Sequence, residues 1–177
     1  MNELMKGIWR ASAATALVLL LTACGSEKTS YVDNGMEAMA SLDIADAYDY
    51  FDQAEEAGEN ERLILRGRGM AYMTELKYDE AIDCFTRALM LSDGVPENLD
   101  YDINYYLAAA YYKSGNLSEA ESVYDAILTL RSSETDSYYL RGIVRLEQGN
   151  FEDANEDFKK AMSLDPDNFD MVIDIYQ

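Results

Sequence analysis

The chain has 177 residues, with 34 Asp and Glu against 14 Lys and Arg, a formal charge of −20, and no histidine. That charge is the opposite of the basic footprint phosphate binding needs, so no nucleic-acid partner is expected. The missing imidazole excludes Ser-His-Asp and Cys-His nucleophile systems and every zinc site built on histidine. Two cysteines cannot staple a disulfide scaffold, whereas 49% hydrophobic residues supply the core of one ordinary domain.

The chain opens with Lys6 and Arg10 against one acid, Glu3, followed by an apolar run from Ala11 to Leu21. As a helix that run spans roughly 16 Å, about half a bilayer's hydrocarbon core, too short for a permanent span. A positive start, a short apolar stretch and small residues predict a secretory signal over 1–23. Leu21-Thr22-Ala23-Cys24 resembles the bacterial lipobox. The resemblance implies cleavage before Cys24 and a lipid on its thiol, anchoring the protein on the extracytoplasmic side of a bacterial membrane; it does not say which membrane. The competing reading is an unprocessed hydrophobic helix that happens to end at a cysteine. Residues 24–28 form the lipidated cysteine and a short tether, in which Gly25 to Lys28 reaches roughly 14 Å when extended. The anionic body is repelled by anionic lipid, so acyl chains must hold it close to the membrane. Cys84 then stands alone and reads as a small apolar filler.

From Lys28 onward one pattern recurs. Ala47, Ala81, Ala120 and Ala154 align at steps of 34, 39 and 34 residues. Four positions later stand Phe51, Phe85, Tyr124 and Phe158; three further on, Ala54, Ala88, Ile127 and Ala161. Twelve positions before the first column stand Gly35, Gly69, Ala108 and Gly142, and three before it Ile44, Tyr78, Leu117 and Phe151. The i, i+4, i+7 spacing makes one helical stripe, and an earlier stripe carries the small residue. Each unit is therefore predicted to be two antiparallel helices, the small residue of the first letting the ring of the second approach. Ser114-Gly115-Asn116 and Gln148-Gly149-Asn150 read as the turns between them, with Gly ending one helix and Asn capping the next. The first unit has Leu42 where that turn glycine belongs. The 39-residue step places a five-residue insertion in Ser92 to Leu99, read as a tolerated surface loop rather than an edge of a groove.

These residues resemble the tetratricopeptide repeat family, most closely over Tyr138 to Asp167 and next over Leu65 to Leu91. Arg145 departs from the family, which carries Tyr there, as Tyr72 and Tyr111 do. The resemblance implies an all-α, right-handed solenoid of antiparallel helix pairs, with repeats at about 28–61, 62–95, 101–134 and 135–168 and a partial fifth over 169–177. Phe169 to Gln177 is too apolar for a terminal cap. Either it packs back on the fourth unit or the chain is cut short, and the second reading is preferred.

In this family the first helix of each pair lines the inner face. The residues expected there are Arg66, Met70, Met73, Tyr105, Tyr112, Tyr139, Ile143 and Leu146, with Val32, Met36, Met39 and Ala109 completing the columns. Met adapts its shape and Tyr offers a broad face with a polar tip, so the expected partner is an apolar or amphipathic segment of another protein. The alternative use of these columns is packing between units. Some relatives grip a C-terminal carboxylate with Lys, Arg and Asn on this face; with Arg66 and Lys113 its only cations, this chain does not fit that mode. Arg62, Arg66 and Arg68 are read as neutralising nearby acids rather than binding an anion. The aspartates at 43, 46, 49 and 52 and at 165, 167 and 170 lack calcium-loop spacing and read as solvated charge. No metal, no cofactor and no catalysis is expected, an enzyme using paired carboxylates being the remote alternative. The expected role is a lipid-anchored scaffold that binds envelope proteins, or else an obligate subunit of an envelope assembly machine.

Overall fold

A computed structural model describes residues 30–166. The expected signal segment, Cys24 and the expected tether lie outside the described residues, as does the expected partial fifth unit. The described chain forms helices α1 (Tyr31–Ala40), α2 (Ile44–Glu56), α3 (Glu61–Thr74), α4 (Tyr78–Met90), α5 (Asn98–Lys113), α6 (Leu117–Leu130), α7 (Thr135–Glu147) and α8 (Phe151–Leu164), with no strand among these residues. Consecutive helices pair as α1/α2, α3/α4, α5/α6 and α7/α8, and each pair stacks on the next; α1 also touches α3, and α3 touches α5.

The ring of each second helix is the centre of its unit. Phe51, Phe85, Tyr124 and Phe158 are essentially inaccessible to water. Removing one such side chain from water is worth about 1.5–3 kcal/mol. The rings reach this depth because the facing residue has no bulk. A Cβ placed on Gly69 would lie 2.5 Å from Phe85 Cε1, and one on Gly142 would lie 2.6 Å from Phe158 Cε1. In the third pair, Ala108 and Tyr124 share the same core cluster. Phe51 is held from two sides, by Gly35 of its own pair and by Gly67 of the next.

The four turns within pairs share one backbone pattern. Gly115 N–H donates to Tyr112 O (3.0 Å) and Asn116 N–H to Tyr111 O (2.9 Å), the paired bonds of a Schellman turn. Gly149 and Asn150 repeat them, and so do Leu42 with Asp43 and Leu76 with Lys77. The middle residue of the turn is left-handed throughout, with φ of 83° at Gly115 and Gly149, 60° at Leu42 and 61° at Leu76. Two leucines thus sit where glycine is favoured, 75% and 70% exposed, so no burial offsets their strain. The expectation that Asn116 and Asn150 cap the following helices needs correction. Both occupy the N-cap position, but their side chains turn back across the turn, Asn116 Nδ2 to Ser114 Oγ (2.9 Å) and Asn150 Nδ2 to Gln148 Oε1 (3.1 Å).

The insertion is more than a loop. Helix α5 begins at Asn98, so the last two residues of the expected loop are helical. Glu97 and Asp100 close a capping box, Glu97 N–H donating to Asp100 Oδ2 at 2.8 Å. Asp100 is buried and pairs with Arg62, whose Nε also donates to Ala88 O (3.2 Å). The added turn therefore docks α5 onto both helices of the preceding pair.

Gly142→Ala forces a methyl against a ring that cannot retreat and should cost about 1–3 kcal/mol of stability in urea unfolding followed by circular dichroism. Leu42→Gly and Leu76→Gly should each raise stability by about 0.5–1 kcal/mol in the same assay, because they remove left-handed strain at exposed sites.

Candidate protein-binding face

The expected groove residues fall on three first helices: Arg66, Met70 and Met73 on α3, Tyr105 and Tyr112 on α5, and Tyr139, Ile143 and Leu146 on α7. Tyr105 is exposed and the other seven are half-buried. Each tyrosine leans on the structure behind it. Tyr105 meets the edge of Tyr124 with centroids 6.4 Å apart, and Tyr139 tilts over Phe158 at 5.9 Å. Tyr112 O–H donates to Glu147 at the end of α7. The rings are braced from below, so binding a segment would cost little further side-chain ordering.

The first unit contributes less than its columns suggest. Val32 and Met39 are buried in a cluster with Phe51, Ile64 and Ala71, because α1 packs directly on α3. Met36 is half-buried, its sulfur 3.9 Å from an Arg66 guanidinium nitrogen. Arg66 itself pairs with Asp102 on α5 and lies 5.6 Å from the Tyr106 ring. Its charge is used to join α3 to α5. Arg62 and Arg68 point elsewhere, Arg62 to Asp100 and Arg68 to Asp52 (2.6 Å) and Glu55 (2.7 Å). The three arginines serve two joints, Arg62 and Arg66 tying α3 to α5 and Arg68 tying α3 to α2, and do not converge on one site. Lys113 lies 5.4 Å from the Tyr112 ring.

Sequence reasoning missed the acids on this face. Asp102 and Asp136 precede Tyr105 and Tyr139 by three residues, one helical turn away on the same side. Asp136 is exposed, and with burial its charge raises the Tyr105 pKa. Burial, followed by the bond to Glu147, pushes the Tyr112 phenol up to about 12.

Away from the face, the Arg145 departure has a partner. Asp157, nearly inaccessible, accepts from Arg141 Nη2 (2.5 Å) and Nε (2.9 Å) and from Arg145 Nη1 (2.9 Å). Arg145 Nε also reaches Glu121 Oε1 at 2.7 Å. Burial works against the Glu121 carboxylate, but the bonds from Arg145 and Gln148 outweigh it and hold its pKa below the usual value.

A cleft of about 730 Å³ between α2 and α4 is lined by Tyr48, Arg68, Tyr72, Lys77 and several acids. Its carboxylates Asp52, Asp79, Glu80 and Asp83 are all exposed. Among the described residues, no three Cys, Asp or Glu side chains converge as a metal site, and no helix is long and apolar enough to cross a membrane.

Tetratricopeptide repeat models match residues 32–98, 68–136 and 135–168. The chain belongs to the tetratricopeptide repeat family, an all-helical scaffold for protein–protein interaction. Among curated proteins it is similar to RNA polymerase II-associated protein 3 of Homo sapiens, 31% identical over 151 residues, which cover 76% of this chain and 22% of that protein. It spans only about a fifth of that relative. Among solved structures, YrrB, described as a TPR protein with an unusual peptide-binding site, superposes with a TM-score of 0.70 at 21% identity, covering 98% of this chain and 88% of YrrB. The first TPR of Spaghetti (RPAP3), bound to the HSP90 peptide SRMEEVD, gives a TM-score of 0.56 at 31% identity, covering 66% of this chain and 88% of that one.

The raised Tyr112 pKa makes a pH prediction. The protonated phenol is favoured in the folded state, so its contribution is complete below pH 10 and is lost as pH climbs toward 12. Tyr112→Phe should flatten the fall in urea stability across that window and leave stability at pH 7 within about 1 kcal/mol of the parent.

Proposed function

We propose that this protein is a bacterial lipoprotein, anchored through Cys24, whose helical array binds or scaffolds other proteins at the cell envelope and carries out no chemistry. The observation that carries the binding half of this reading is the run of half-buried Met and Tyr side chains across α3, α5 and α7, open on one side and braced on the other. Such a surface suits an apolar or amphipathic segment, which gains from broad aromatic contact. The anchoring half rests on the basic start, the short apolar run and Leu21-Thr22-Ala23-Cys24.

The acidic peptide SRMEEVD held by the Spaghetti domain is a poor guide to this chain's ligand. Arg66 is neutralised by Asp102, while Asp136 and Glu147 add negative charge. An acidic C-terminus would meet repulsion here without a free guanidinium to receive it. The occupant we propose is an uncharged or basic amphipathic segment.

Replacing Tyr105, Tyr112 and Tyr139 together with Ala should abolish partner capture, measured by cross-linking and co-purification from detergent-solubilised membranes, while the helical circular dichroism signal persists. Capture at the parental level would contradict the assignment of this face. In the same experiment exchangeable clients support the scaffold, and a fixed stoichiometric complex points to an assembly-machine subunit.

A further inference from the structure

Exposed large apolar side chains stand at both edges of the stack, with more of them at one. In stacked hairpins, the connections from each second helix to the next first helix share one edge. Here these are residues 57–60, 91–97 and 131–134. On this edge or just before it stand Met90 (79% exposed), Leu91, Val95 (64%) and Leu130 (60%), with Tyr31 at the start of α1. Val95 comes from the inserted segment. Polar bonds tie the edge together: Arg131 Nη2 to Asn98 Oδ1 (2.7 Å), with the Arg131 guanidinium 3.5 Å over the Tyr101 ring, and Arg62 to Asp100 and Ala88 O. These bonds hold together the helix ends that flank the apolar side chains.

The described chain also enters at this edge. The backbone N–H groups of Tyr31 and Val32 donate to the Glu59 carboxylate at 2.9 and 3.1 Å, fixing the start of α1 to the 57–60 connection. Only six residues separate Tyr31 from Cys24, a reach of at most about 25 Å. Presenting the opposite edge, with Leu42, Leu76 and Phe151, would send the tether back along the 10 residues of α1, roughly 15 Å, consuming more than half of that reach. A short tether holds the near edge at a high effective concentration against the bilayer, which a few apolar side chains cannot achieve from solution.

We infer that the edge carrying Met90, Leu91, Val95 and Leu130 is a membrane-contact surface, lying on the lipid that holds Cys24 and turning the tyrosine face sideways to the bilayer. The inference rests on the proposed anchoring. The insertion that lengthens the third unit then has a role, because it supplies Val95 and widens the rim.

The test uses the full, processed chain in phosphatidylcholine vesicles, with a nitroxide placed by Val95→Cys or Leu130→Cys and, as references on the opposite edge, Leu76→Cys or Ser118→Cys. Cys84 is buried and stays unlabelled. Labels at 95 and 130 should lose access to an aqueous nickel relaxant several-fold and gain access to oxygen, while those at 76 and 118 stay aqueous. Equal aqueous access at all four positions overturns the inference. Mass spectrometry of the mature N-terminus separates the two failures. An unacylated Cys24 defeats the anchoring and this inference together, whereas an acylated Cys24 with an aqueous rim defeats the inference alone. Protection at 95 and 130 in Cys24→Ser protein without vesicles would mean that a second copy covers the rim, which also overturns it.

Discussion

The structure depends on one contact repeated along the chain: an aromatic ring of a second helix seated against a first helix that has no side chain to obstruct it. Gly35, Gly69 and Gly142 leave room that a single Cβ would fill, and Phe51, Phe85 and Phe158 occupy it. This fixes how closely the helices of a pair approach, and that distance sets the spacing of the first helices whose outer sides form the tyrosine face. Gly67 extends the arrangement, since Phe51 touches glycine on two successive first helices and joins the first pair to the second. Fold and candidate face are thus products of the same close approach.

Charge is handled locally in a chain this acidic. Every arginine from Arg62 onward pairs with a carboxylate, most of them across a helix–helix joint. One joint changes chemistry between units. Arg68, Tyr72 and Cys84 occupy it in the second pair, Leu107, Tyr111 and Val123 in the third, and Arg141, Arg145 and Asp157 in the fourth. In the fourth pair, two guanidiniums converge on the buried Asp157 and leave no uncompensated charge. The unusual Arg145 is therefore half of a paired change, whose other half lies twelve residues downstream.

Repeat spacing made the helix pairs, the rings and their small partners legible, because those contacts recur at fixed offsets within a unit. Contacts between units were harder to read. Nothing in the spacing singles out Gly67, which serves the preceding unit's ring, or Asp100, whose partner Arg62 lies 38 residues away. Leu76 was hidden because a left-handed leucine leaves no compositional mark. Helix arithmetic placed the face residues on α3, α5 and α7, but it could not reveal that α1 leans on α3 and buries Val32 and Met39, or that Asp102 engages Arg66. Those facts follow from how whole helices pack.

The central claim is that glycine and ring are energetically coupled, and a double-mutant cycle tests it directly. Urea stabilities of the parent, Gly69→Ala, Phe85→Leu and the double variant isolate the interaction term. Close seating predicts that the smaller Leu side chain relieves the clash with the new methyl, so the double variant is more stable than the sum of the single losses by at least about 1 kcal/mol. Additivity within about 0.3 kcal/mol would contradict the account, because it would mean that the ring does not depend on the space the glycine leaves.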